Sequence, residues 1–144
     1  MTAKEYLSQA YLLDKKIDSK FEQLEILRSL TQRVTASYGG EVVSHTRKVT
    51  SLEDVIVRIA EMEHDLNGDI DRLLRLRQDI SEIINQVRNE SFRLILEKRH
   101  LCFQSWERIA EDLGCTPRWA RTKYARALGV VEKLIPREKL QEVE

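Results

Sequence analysis

SWERIAEDLGCTPRWARTKYARAL, residues 105–128, is the stretch that decides how this chain reads. Ser105 offers a hydroxyl to the open N–H groups of a short helix whose inward face is Trp106, Ile109, Ala110 and Leu113. Gly114 follows at once, and glycine takes the positive φ of a sharp turn without a Cβ penalty. Thr116 then caps a second helix, and Pro117 takes its first position, where the missing N–H costs nothing. Counted from Trp106, Ala110 is the fifth residue of a helix-turn-helix, where a small side chain lets two helices approach, and Gly114 is the ninth, in the turn. Ala120, Tyr124, Ala127 and Leu128 can face the first helix, which leaves Arg118, Trp119, Arg121, Thr122, Ala125 and Arg126 outward or flanking. Residues 116–126 hold four bases and no acid, so the second helix carries a positive local field. A basic solvated helix would share that charge. It would not share the cap, the small residue, the turn glycine and the N1 proline, and their agreement points to a unit that binds double-stranded DNA.

Working outward, Ser91 is the expected cap of a preceding short helix whose apolar face is Phe92, Ile95, Leu96 and Leu101 and which ends near His100. Further upstream, apolar residues at steps of three and four predict one helix over about 2–37: Leu7, Ala10, Leu13, Ile17, Phe21, Leu24, Leu27, Val34 and Tyr38. Gly39 and Gly40 end it, and GGEVVSHTRKV reads as a connecting loop. Thr50 and Ser51, followed by Glu53 and Asp54, mark the start of a second long helix. Alternating steps of four and three from Leu52 visit Ile56, Ile59, Glu63, Leu66, Ile70, Leu73, Arg77, Ile80, Ile84 and Val87, with only Glu63 and Arg77 not apolar. That is a coiled-coil seam, with Glu63 and Arg77 expected to snorkel to its edge or to set its register. Two such helices fold back as an antiparallel hairpin. Val55, Met62, Leu74, Leu76 and Ile83 widen the stripe beyond one partner's cover, which predicts a homo-oligomer through residues 2–88, with intramolecular packing on the C-terminal domain as the alternative.

Composition agrees with an all-α chain: 5 Gly and 2 Pro in 144 residues, with 33% charged. The formal net charge is zero but polarised: residues 50–90 carry ten acids against five bases, and residues 91–126 carry eight bases against four acids. No apolar run approaches the length of a membrane span, and the opening MTAKEYLSQ lacks a signal-peptide layout, so the expected location is cytoplasmic. Cys102 and Cys115 match no CxxC or zinc-finger spacing and are expected to be buried and reduced. His45, His64 and His100 lack ligand spacing, and Asp65, Asp69 and Asp71 beside Arg72 and Arg75 suggest surface ion pairs rather than a metal site. With no phosphate loop and no nucleophile and base set, no enzyme, metal or cofactor is expected.

ERIAEDLGCTPRWARTKYARAL resembles the fourth conserved region of bacterial sigma factors, roughly EEIAExLGxSxxxVxxxRARAL, and RLILEKRHLCFQSW resembles the helix before it. The whole chain is similar to a family of small sigma-like proteins of phages and prophages of Gram-positive bacteria, among them late-gene and packaging regulators. Its opening, TAKEYLSQAYLLDKKIDSKFEQLEILRSL, is close to that family's usual start. The resemblance implies a domain plan of 1–89 as a helical, oligomerising hairpin, 90–135 as the helix-turn-helix and 136–144 as a tail. It implies that Arg118, Arg121 and Thr122 lie nearest base edges, and that Arg108, Thr116, Lys123 and Arg126 meet the DNA backbone. Four phosphate contacts would give a slope of about −3.6 in log affinity against log salt. Trp106, Ile109, Ala110, Leu113, Gly114, Ala120 and Tyr124 would pack the unit. RNA polymerase is the implied second partner of a transcription regulator, and a small-terminase-like packaging subunit or a coiled-coil scaffold are the competing roles. Nothing resembles the promoter-melting helix of full sigma factors. One departure stands out: Ala120 occupies a position that is often Val, beside Trp119, which is core if it fills the vacated volume and can stack on the sugar-phosphate backbone if it points outward; partial burial is expected.

Overall fold

A computed structural model describes residues 1–36 and 45–141, with side chains from residue 52 onward in the second stretch. The described residues form helices and turns and no strand: α1 (Ala3–Ala36), α2 (His45–Asn85), α3 (Glu90–His100), α4 (Trp106–Leu113), α5 (Pro117–Glu132) and α6 (Arg137–Gln141). Among them no helix is long and apolar enough to cross a membrane. Contacts divide the chain into two compact units, Met1–Leu13 with Leu73–Glu144, and Asp14–Arg72. This parting differs from the expected 89/90 boundary because the start of α1 and the end of α2 share one core with α3, α4 and α5.

That core joins Leu7 and Ala10 to Ile80, Ile84 and Val87, and these to Ile95, Leu96, Ile109, Ala120, Ala127 and Val131, all at 1% exposure or less. At about 1.5–3 kcal/mol for each large side chain buried, it stabilises helices of 8–16 residues that water alone would unravel. The expected tail holds α6 behind Pro136, tied by a Lys139–Asp79 ion pair of 2.8 Å and by the α-amino group of Met1 on the Leu140 carbonyl.

In the other unit α1 and α2 run antiparallel, since Lys20 pairs with Asp69 and Arg28 with Glu63 (2.9 Å). Ile17, Leu24, Met62 and Leu66 are buried between them. Asp69 is buried too, contrary to the surface reading. Its carboxylate takes the Lys20 ammonium and lies 3.7 Å from Arg72, and the Lys20 hydrogen bond holds its pKa below the usual carboxylate range. Glu63 keeps to the seam's edge through Arg28, whereas Ile56, expected on the seam, is 51% exposed.

Helix starts depart from expectation twice. The first helical residue of α2 is His45, so Thr50 and Ser51 are interior residues: a hydroxyl before an acidic turn favours a start but costs only a few tenths of a kcal/mol inside a helix. The cap of α3 is Asn89, whose side-chain oxygen accepts from the N–H groups of Ser91 and Phe92, so Ser91 lies within the first turn. The Gly39–Gly40 stop and the Val42–Val43 segment lie outside the described residues. Cys102 is exposed rather than buried, because Phe103, not the cysteine, turns from that loop onto the core.

Candidate nucleic-acid interface

The corner between α4 and α5 is built by local chemistry. Ser105 Oγ accepts from the Arg108 N–H at 3.2 Å and starts α4. At its other end Gly114 sits at φ 66° and ψ 36°, the left-handed region in which a side chain would be strained. Its N–H donates to Glu111 O (3.3 Å) and that of Cys115 to Ala110 O (3.0 Å), which satisfies the last carbonyls of α4. Thr116 Oγ1 then accepts from the Trp119 N–H at 3.1 Å, and Pro117 opens α5. Each cap read from the 105–117 sequence is therefore in place.

Behind the corner, Ile109, Ala110, Ala120 and Tyr124 are buried, and Trp106 and Leu113 pack half-buried against them. Trp106 meets Tyr124 edge-on, with ring centroids 4.8 Å apart. α5 runs to Glu132, four residues past the expected end at Leu128, because Val131 continues the buried stripe of Ala120, Tyr124 and Ala127. At 3.6 residues per turn that stripe leaves Arg118, Thr122 and Ala125 on the opposite side, and all three are exposed. Arg121 lies toward one edge, its guanidinium 5.9 Å from the Trp106 ring centre. Trp119, Lys123 and Arg126 lie toward the other edge.

The structure brings most of the expected DNA-facing residues onto this one helix. Arg118, Arg121, Thr122 and Arg126 are exposed and Lys123 half-exposed. Thr122 donates its hydroxyl proton to Arg118 O at 3.0 Å, so it presents a lone pair and a methyl outward. Thr116 spends its oxygen on the cap and keeps a proton to donate. Arg108 stands apart on α4, 3.4 Å from Asp112, which also takes the Lys98 ammonium at 3.1 Å. These two cations, Lys98 first, hold the Asp112 pKa low.

Trp119 is 52% exposed, about half buried on the flank of α5, while Trp106 packs on Tyr124 behind the corner. The Lys123 ammonium lies over its ring, 4.7 Å from the centre.

Two supporting features were not read from the sequence. His100 is buried, its Nε2 lies 2.7 Å from the Tyr124 hydroxyl, and its ring is also hydrogen-bonded to the Leu7 backbone. Burial, helped by the nearby Arg99, pushes the His100 pKa down to about 4, and burial pushes Tyr124 up to about 12. The imidazole is therefore neutral at pH 7; with Leu7 O taking its N–H, Nε2 accepts from Tyr124. Phe103 is the second feature. It holds φ at 54°, a conformation that costs a bulky residue on the order of 1–2 kcal/mol. Its ring meets Tyr11 edge-on at 5.7 Å and carries the Arg77 guanidinium at 5.3 Å, so packing offsets the strain and sets the approach to Ser105. No local sequence signal marks either feature, since both depend on residues from distant helices.

No protein-family model matches this chain, and no curated protein or solved structure is significantly similar to it.

Proposed function

We propose that this chain binds double-stranded DNA in a sequence-dependent way, with α4 and α5 acting as a helix-turn-helix and α5 entering the major groove. The observation that carries the reading is the exposed side of α5. With no acid before Glu132 and a fully packed inner stripe behind, α5 carries Arg118 on its outward face and Arg121, Lys123 and Arg126 along its two edges, after a rigid start at Thr116–Pro117. A groove between two phosphate ridges matches that shape and charge. Arg118 and Thr122 are centred to meet base edges and Arg121 reaches them from the side, while Lys123 and Arg126 suit phosphates.

The resemblance to sigma region 4 supports a phage or prophage transcription regulator, with RNA polymerase as a candidate partner. The antiparallel run of α1 and α2 serves in this reading as an oligomerising hairpin. Phe21, Ile26, Ile56 and Val57 are 46%, 61%, 51% and 56% exposed in the Asp14–Arg72 unit, more apolar surface than a two-helix pair leaves wet without cost.

Genomic fragments selected by the protein and titrated over a salt series provide the test. A slope of about −1.8 is expected if Lys123 and Arg126 each neutralise one phosphate. Charge reversal by Arg118→Glu with Arg121→Glu should abolish binding and leave helix content unchanged. Salt-insensitive affinity, or a double variant that binds as tightly as the parent, would remove the DNA reading. Selected fragments lying upstream of late genes support regulation; a packaging site together with a ring of eight or more protomers supports packaging instead.

A further inference from the structure

Trp119 is out of place on a free protein surface. Tryptophan is costly to leave in water, yet this indole is about half exposed on the first turn of α5, although the core behind it is closed by Ala120 and Tyr124. Its backbone is fixed there by the bond to Thr116 Oγ1. One turn on, Lys123 holds its ammonium over the ring, so the pair presents an apolar plate and a cation side by side. By helical geometry both lie on the same edge of α5, flanking the central positions of Arg118 and Thr122.

We propose that Trp119 and Lys123 form a two-part clamp on one sugar-phosphate wall of the major groove, an inference that rests on the DNA-binding reading above. A helix seated in the groove directs its central side chains at base edges and its flanking ones at the walls. A wall alternates carbon-rich deoxyribose with anionic phosphate. The indole packs on the sugar, and the neighbouring ammonium reaches the adjoining phosphate. Trp119 thus contributes affinity without charge, and Lys123 contributes charge.

The two parts separate in a salt titration. The probe is a duplex of ~30 base pairs, about three helical turns, selected from a random pool by the wild-type chain. Trp119→Ala should bind roughly tenfold more weakly at every salt concentration with an unchanged slope, as expected from burial of an uncharged ring. Trp119→Phe should recover most of that loss. Lys123→Gln should make the slope shallower by about 0.9. Replacing every thymine by uracil should affect parent and variants alike. Full affinity in Trp119→Ala overturns the clamp while leaving DNA binding intact. A Trp119→Ala defect that disappears in the uracil duplex assigns the ring to a thymine methyl and overturns the wall contact. Unaltered DNA binding with a smaller oligomer would assign the ring to a second copy of the chain. If the parent shows no salt-dependent duplex binding, the DNA reading fails first and the clamp with it.

Discussion

Acidification should loosen the unit that carries α5, and His100 sets the window. In the folded chain its pKa is pushed down to about 4 from an ordinary 6.5, because burial penalises the charged ring and the nearby Arg99 guanidinium repels it. Between those values the unfolded chain binds a proton that the folded chain refuses, so stability is complete above pH 6.5 and falls as the pH drops toward 4. At 1.36 kcal/mol per pKa unit the whole effect is about 3 kcal/mol, of which roughly a third to a half is already lost at pH 5.5. Urea denaturation followed by circular dichroism at pH 7.5, 6.5, 5.5 and 5.0, all above the ordinary carboxylate range, isolates the term when parent and His100→Gln are compared. Glutamine can donate to Leu7 and accept from Tyr124 but has no titrating proton. The parent should lose stability across the window and the variant should stay nearly level. Equal losses in both proteins, or a folded-state His100 titrating near 6.5 by NMR, would refute the reasoning.

Gly114→Ala should destabilise the chain by about 1–2 kcal/mol through backbone strain alone, since a Cβ there meets nothing within 4 Å; an unchanged urea midpoint would show that the corner relaxes. Gly68 lies inside α2 with open space around it, so Gly68→Ala should stabilise by about 0.5–1 kcal/mol and raise the melting temperature. A fragment of residues 90–141 should lack cooperative unfolding, because Leu7, Ala10, Ile80, Ile84 and Val87 belong to the same core; a sharp melt would show that α3 to α6 suffice by themselves.

What the sequence made legible follows the range of the interactions. The Ser105 cap, the left-handed Gly114, the Thr116 cap and the Pro117 start are each settled within four residues, and all stand where the local chemistry puts them. Residues whose fate depends on distant partners were not legible. Asp69 reads as a surface acid until Lys20, 49 residues away, meets it. Trp119 reads as either filling the space beside Ala120 or pointing outward, and only the structure shows it half exposed. The 89/90 boundary looked natural because the heptad seam ends at Val87. A stripe records only that a face is covered, and the last turns of α2 belong to one core with residues of α1, α3, α4 and α5.

The consequence reaches the exposed side of α5. Tyr124 belongs to its inner stripe, its hydroxyl is held by His100 at the end of α3, and the same imidazole is hydrogen-bonded to the backbone of Leu7 in α1. This buried polar chain adds a directional contact to the apolar packing of Ala120, Ala127 and Val131 that orients α5. Rotation by one residue, about 100°, would carry Thr122 from the centre of the outward face to its edge and bring Arg121 or Lys123 in its place. Through His100 the helix that carries Arg118 and Thr122 is tied to the first turns of α1, more than a hundred residues earlier in the chain.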